Sequence, residues 1–192
     1  MRRHRSRRAA ATQLARLASA VVAAMALGLA VVGLAVAAGP PFPPPVNDQS
    51  VYDTAEAFRP ATRTQVESRI DAIEQRTGAE IAVYTQLTEA GEDTATAEHN
   101  AQALMDQWGV GRAGFDDGLV ILFDLNADDP CHGQVQLYAG PGFANEFLTN
   151  AERQSIYEDD MLPLLKRCDL DGALLVAMDK IDAAATPEHA GQ

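Results

Sequence analysis

The chain has 192 residues, 47% of them hydrophobic, enough for one ordinary domain with a proper core plus appendages. Its net charge of −12 averages two unlike parts: six of the fifteen basic residues precede residue 17 and no acid precedes Asp48, so nine basic and twenty-seven acidic groups, a net of −18, follow residue 38. A surface of that sign repels nucleic acid and anionic headgroups and attracts cations or basic partners, which excludes nucleic-acid binding.

Residues 1–16 are arginine-rich, and residues 17–38 carry no charge. At about 1.5 Å per residue a helix over that run would be about 33 Å long, just enough for a hydrocarbon core. Basic residues ahead of an apolar run keep that end cytoplasmic and send the remainder outward. Residues 1–38 therefore read as a signal peptide or an N-terminal membrane anchor. Small residues at 35–38 favour cleavage, and the length of the run favours an anchor. Either way the remainder is expected to be extracytoplasmic, secreted or held at the cell membrane.

Residues 39–49, with Gly39-Pro40-Pro41-Phe42-Pro43-Pro44-Pro45, read as a stiff polyproline linker of about 3.1 Å per residue that holds a domain clear of the membrane. Cys131 and Cys168 are the only cysteines, and an even pair in an oxidising compartment reads as a disulfide.

Pro60 suits the first turn of a helix in which Val66, Ile70 and Ile73 recur at helical spacing until Gly78. Arg59 is a poor cap for it. Residues 79–87 read as a strand, and Ala97, Ala101, Leu104 and Trp108 mark a second helix. Residues 119–123 form a continuous apolar run, which is how a strand covered on both faces reads. Residues 126–133 are turn material, and Val135, Leu137 and Ala139 alternate as the returning strand. Thr149-Asn150-Ala151-Glu152 is a capping box, Pro163 should kink or end the helix it opens, and Asp169 or Asp171 starts a last helix. The order α-β-α-β-β-α-α predicts an α/β fold, a three-layer α/β/α sandwich around a small mixed β-sheet. Residues 186–192 read as a disordered tail.

Several segments together carry a resemblance: Val51-Tyr52-Asp53, Thr77-Gly78-Ala79-Glu80-Ile81-Ala82-Val83, the run from Trp108 to Leu122 with its Asp116-Asp117-Gly118, and Gly140-Pro141-Gly142-Phe143. Over residues 50–185 the chain resembles the TPM domain family, whose thylakoid-lumen, photosystem-repair and receptor-modulator members give it its name. The resemblance implies an α/β/α sandwich outside the cytoplasm, divalent-cation binding near the paired aspartates, and an acid phosphatase activity reported for some members. Glu146 stands a few residues beyond the place where a glutamate often follows the glycine turn.

The sharpest candidate site is metal binding by Asp53, Asp116 and Asp117, with Ca²⁺ or another divalent cation. Adjacent carboxylates repel one another unless a cation or basic group compensates, and flexible aspartate loops supply the oxygens that a hard cation needs. The competing structural role is a turn at Asp117-Gly118, with Asp116 capping or pairing with Arg112. Asp169-Leu170-Asp171-Gly172 is rejected as a calcium loop because Lys180 stands at the twelfth position. Catalytic residues are unassigned: the sequence has no nucleophile elbow, P-loop or dinucleotide fingerprint. Three functions follow as expectations: a cation-assisted interaction module that meets an envelope protein partner, a metal-assisted acid phosphatase using Asp116 or Asp117, and a secreted structural domain without ligand. Residues 17–38 would hold the membrane if uncleaved.

Overall fold

A computed structural model describes residues 38–89 and 92–186 of the chain. Nearly all of the uncharged N-terminal run, expected to be a signal peptide or anchor, and most of the C-terminal tail lie outside the described residues. Among those described, no helix is long and apolar enough to cross a membrane.

The elements are β1 (Val51–Asp53), α1 (Pro60–Thr77), β2 (Ile81–Thr88), α2 (Thr94–Trp108), β3 (Leu119–Asn126), β4 (Asp129–Ala139), α3 (Pro141–Glu146), α4 (Asn150–Ser155), a π-helical stretch (Ile156–Met161), α5 (Leu162–Leu165) and α6 (Leu170–Ala184). The sheet has the order β1-β2-β3-β4. Strands β1, β2 and β3 run parallel, and β4 returns antiparallel to β3. This is the expected mixed sheet with one strand more than the sequence revealed.

Side chains alternate across each strand, so the sheet has two buried faces. Val83, Ile121 and Phe123 point to the face covered by Val66, Ile70 and Ile73 of α1 and Leu174, Met178 and Ile181 of α6. Tyr84, Val120 and Leu122 point to the other, covered by Ala101, Leu104 and Met105 of α2. Helices α1 and α2 thus lie on opposite faces, although β1→β2 and β2→β3 advance in the same direction across the sheet. The two crossovers must therefore have opposite hands, and one of them departs from the right-handed rule.

Local signals behave as their chemistry requires. Gly78 ends α1 in the left-handed conformation (φ 77°). Thr149 and Glu152 form both halves of the capping box. Asp169 caps α6 by accepting from the Gly172 amide at 3.0 Å. Ahead of Pro163, which has no N–H to donate, the helix widens into its π stretch and then continues through α5.

The proline-rich segment differs from the free spacer expected of it. Phe42 is 4% exposed and packs against Tyr84 on the α2 face. Gln107 of α2 clamps its backbone from both sides, accepting from the Phe42 amide at 2.8 Å and donating to its carbonyl at 2.6 Å. The Trp108 indole donates to the Pro43 carbonyl at 2.8 Å, and the Tyr52 hydroxyl accepts from the Val46 amide at 2.9 Å. One aromatic side chain among the prolines is the reason. It gives an otherwise inert segment about 3 kcal/mol of burial to gain, and the segment lies along α2 as a strap.

The pairing between β3 and β4 shifts beyond Leu125. Leu125 faces Gly133 and Asn126 faces Asp129, so Pro130, Cys131 and His132 bulge out without partners. A Cβ on Gly133 would lie 2.1 Å from the Asp124 carbonyl oxygen, so only glycine fits where the bulge rejoins the ladder. The bulge carries Cys131 to Cys168, just beyond α5, and the two form a disulfide across 37 residues.

Candidate functional site

Asp53 ends β1, in register with Thr85 of β2 and so with Phe123 of β3. Its side chain is 1% exposed. It accepts from the Ala57 amide (2.8 Å), the Phe58 amide (3.0 Å) and the Thr85 hydroxyl (2.9 Å), and pairs with Arg63 at 3.3 Å. These donors tie the end of β1 to the loop before α1.

Asp117 stands two residues before β3, at the opposite end of the sheet. Six residues of strand separate it from the level of Phe123, about 20 Å at about 3.3 Å per residue. It is fully buried and accepts from the Arg112 amide at 2.8 Å and from Nε of the same guanidinium at 2.7 Å. Arg112 also lies 4.3 Å from the centre of the Phe115 ring. This is the compensation two adjacent acids require, supplied by arginine, and it falls on Asp117 instead of Asp116.

Asp116 is exposed, in the left-handed region (φ 52°), and its carboxylate makes no hydrogen bond among the described residues. Its backbone is what the fold uses: the amide donates to the Arg112 carbonyl, and the carbonyl accepts from the Gly142 amide at 3.0 Å. A Cβ on Gly142 would lie 1.8 Å from the Phe115 carbonyl oxygen, which explains the glycine turn after β4.

The structure therefore brings Asp116 and Asp117 together only as chain neighbours and leaves Asp53 at the far end. A divalent cation does not fit this donor set, because Asp53 and Asp117 already have their oxygens filled by protein donors. Among the described residues no group of three or more His, Cys, Asp or Glu side chains is arranged to hold a metal.

Asp124 is a buried polar centre that no sequence motif marks. It lies in the middle of β3 on the α2 face, fully buried, and accepts from Gln86 (2.6 Å) and Asn100 (2.9 Å). Asn100 also donates to Glu92 at 3.0 Å, and the side-chain Oε1 of Gln86 accepts from the Gly39 amide at 2.8 Å, where the strap begins. Burial pushes the Asp124 carboxyl up to about 6. The amides of Asn100 and Gln86 oppose that shift, and the nearby Glu92 adds to it. A charged residue following the apolar run of residues 119–123 is the signal for it in the sequence.

A cleft of about 450 Å³ opens between the β4 bulge and α5. Leu125, Val135, Leu165 and Leu170 form its apolar lining, the disulfide closes one side, and Lys166 and Arg167 stand at its rim. Neither cation was singled out from the sequence.

No curated protein matches the chain. Solved structures match its fold. The N-terminal domain of a protein from P. gingivalis has a TM-score of 0.60 at 23% identity, covering 71% of this chain and 82% of that one. The N-terminal domain of the cg2496 protein from Corynebacterium glutamicum has a TM-score of 0.52 at 16% identity, covering 76% and 85%. The BA42 protein from Bizionia argentinensis has a TM-score of 0.52 at 13% identity, covering 67% and 81%. The family model described as TPM domain matches residues 51–184, from the first residue of β1 to the last of α6, and the chain belongs to that family.

Proposed function

We propose that this TPM-domain chain is an extracytoplasmic interaction module of the cell envelope, carried out of the cytosol by its N-terminal segment. The observation that carries the location is the Cys131–Cys168 bridge, a pairing typical of oxidising compartments. The basic and then uncharged N-terminus and the −18 surface beyond it agree with that location.

Binding is favoured over hydrolysis by how the candidate carboxylates are engaged. Asp53 and Asp117 are bound by protein donors within the scaffold, which leaves Asp116 alone among the three with a free carboxylate. One exposed carboxylate is a weak ligand set for a hard cation, which takes six to eight oxygens. On this reading the interaction does not draw on a cation held jointly by Asp53, Asp116 and Asp117.

Two measurements test this. In intact cells the domain should be cleaved by added protease, and the cysteines should be oxidised before any lysis; a protected domain with two free thiols would overturn the location. Millimolar calcium should leave the melting temperature unchanged. Turnover of a generic phosphomonoester that disappears in Asp116→Ala, with folding retained, would replace the binding reading by the phosphatase one.

A further inference from the structure

We infer that the cleft beside the disulfide is a binding site for a small amphiphilic anion, an aliphatic chain ending in a single carboxylate. The inference deepens the reading of the domain as a binding module, because it gives that module a site and a ligand class.

Uncommitted positive charge is concentrated at one place on the domain. Nine cations stand against twenty-seven acids beyond residue 38. Six of the nine are in ion pairs with aspartates. Arg153 is bound to the carbonyls of Leu137 and Leu148. Lys166 and Arg167 are the two whose side chains have no partner among the described residues, and both border the same cleft. On a surface of the opposite sign, two adjacent uncommitted cations form a local attractor for an anion.

The shape of the cleft suits such a ligand. Below that rim Leu125, Val135, Leu162, Leu165 and Leu170 form an apolar wall that suits a hydrocarbon body, with Tyr157 and His132 as its polar neighbours. Its walls come from the β4 bulge and from the segment around α5, and the disulfide joins the two covalently. The cleft is therefore formed before any ligand arrives, so little ordering opposes binding.

The net charge of the domain limits the ligand. A domain of net −18 repels polyanions at long range, so nucleic acid, acidic peptides and anionic bilayers are disfavoured even though two cations are present. A single carboxylate on an apolar chain meets the cations at contact distance and carries little of that repulsion.

Octanoate is the probe, titrated into the oxidised domain and followed by amide chemical shifts, with octylammonium and octanol as controls. Octanoate should shift resonances of residues lining the cleft, octylammonium should not bind, and octanol should bind at least tenfold more weakly. Lys166→Ala/Arg167→Ala should weaken octanoate at least tenfold with an unchanged melting temperature. Equal affinity for octanoate and octanol, or equal affinity of both proteins for octanoate, would overturn the inference. So would a double variant that melts lower yet binds as before, which would mean that the cations serve only the helix C-terminus. Absence of binding by any probe would remove the cleft as a site, yet protease cleavage in intact cells would still support the envelope location.

Discussion

Asp171, in the first turn of α6, caps a helix to which it does not belong: its Oδ1 accepts from the Arg59 amide at 3.0 Å and its Oδ2 from the Arg59 side chain at 2.9 Å. Arg59 offers α1 no cap of its own, and the need is met from 112 residues away. Burial works against the charged form of Asp171, but the Thr62 hydroxyl and the Arg59 amide and guanidinium hold its carboxyl below the usual range. Asp171→Ala should cost about 1–2 kcal/mol, the range for losing an N-cap. Urea unfolding would read it, and a loss under 0.3 kcal/mol, roughly the scatter of exposed pairs, would mean that the link is ornamental.

The sign of Asp171's shift fixes when it acts. Its stabilisation is present above the unfolded pKa and lost as pH falls through the lower folded value, so it belongs to acid below about pH 4.

Asp124 has the opposite sign. Its folded carboxyl, near 6, lies above the ordinary 3.8, so the folded state holds the proton more tightly. Between those values stability falls as pH rises, by up to about 1.4 kcal/mol per unit for one group. Wild type should therefore be more stable at pH 5 than at pH 7.5, and Asp124→Asn should flatten that difference. Parallel pH profiles for the two proteins would contradict the assignment.

The strap predicts a local effect. Phe42→Ala should destabilise by about 2–4 kcal/mol if the strap unfolds with the domain, at or below the range for buried phenylalanine. Trp108, the only tryptophan, donates to the Pro43 carbonyl, so its emission should shift to the red in the variant. Unchanged emission would mean that the segment does not rest on α2 in solution.

Replacing both cysteines by serine should cost about 4 kcal/mol by the chain-entropy estimate for a loop of this size. Guanidinium unfolding of the two forms would measure it.

How far the sequence could be read depended on how local each signal was. The helices and the two long parallel strands have periodicities contained within themselves, and residues 119–123 proved to be central in the sheet. Strand β1 escaped because three residues carry no period. It stands at the edge, where the Ser50 and Val51 amides are covered by Glu67 of α1. Without β1 there was no parallel register, and without register Asp53 looked available to Asp116 and Asp117. The Asp117–Arg112 contact was in reach, since the two are five residues apart. The cleft was not, because it depends on a bulge that no pattern announces and on cations distinguished only by what their neighbours already hold.

That bulge turns an ordinary chemical assay into a check on alignment. Because Cys131 sits in a three-residue excursion fixed between Asp129 and Gly133, a chain whose hairpin had slipped by one position would turn the sulfur away from its mate. Counting molecules that react with a maleimide would then count molecules zipped together in the wrong frame.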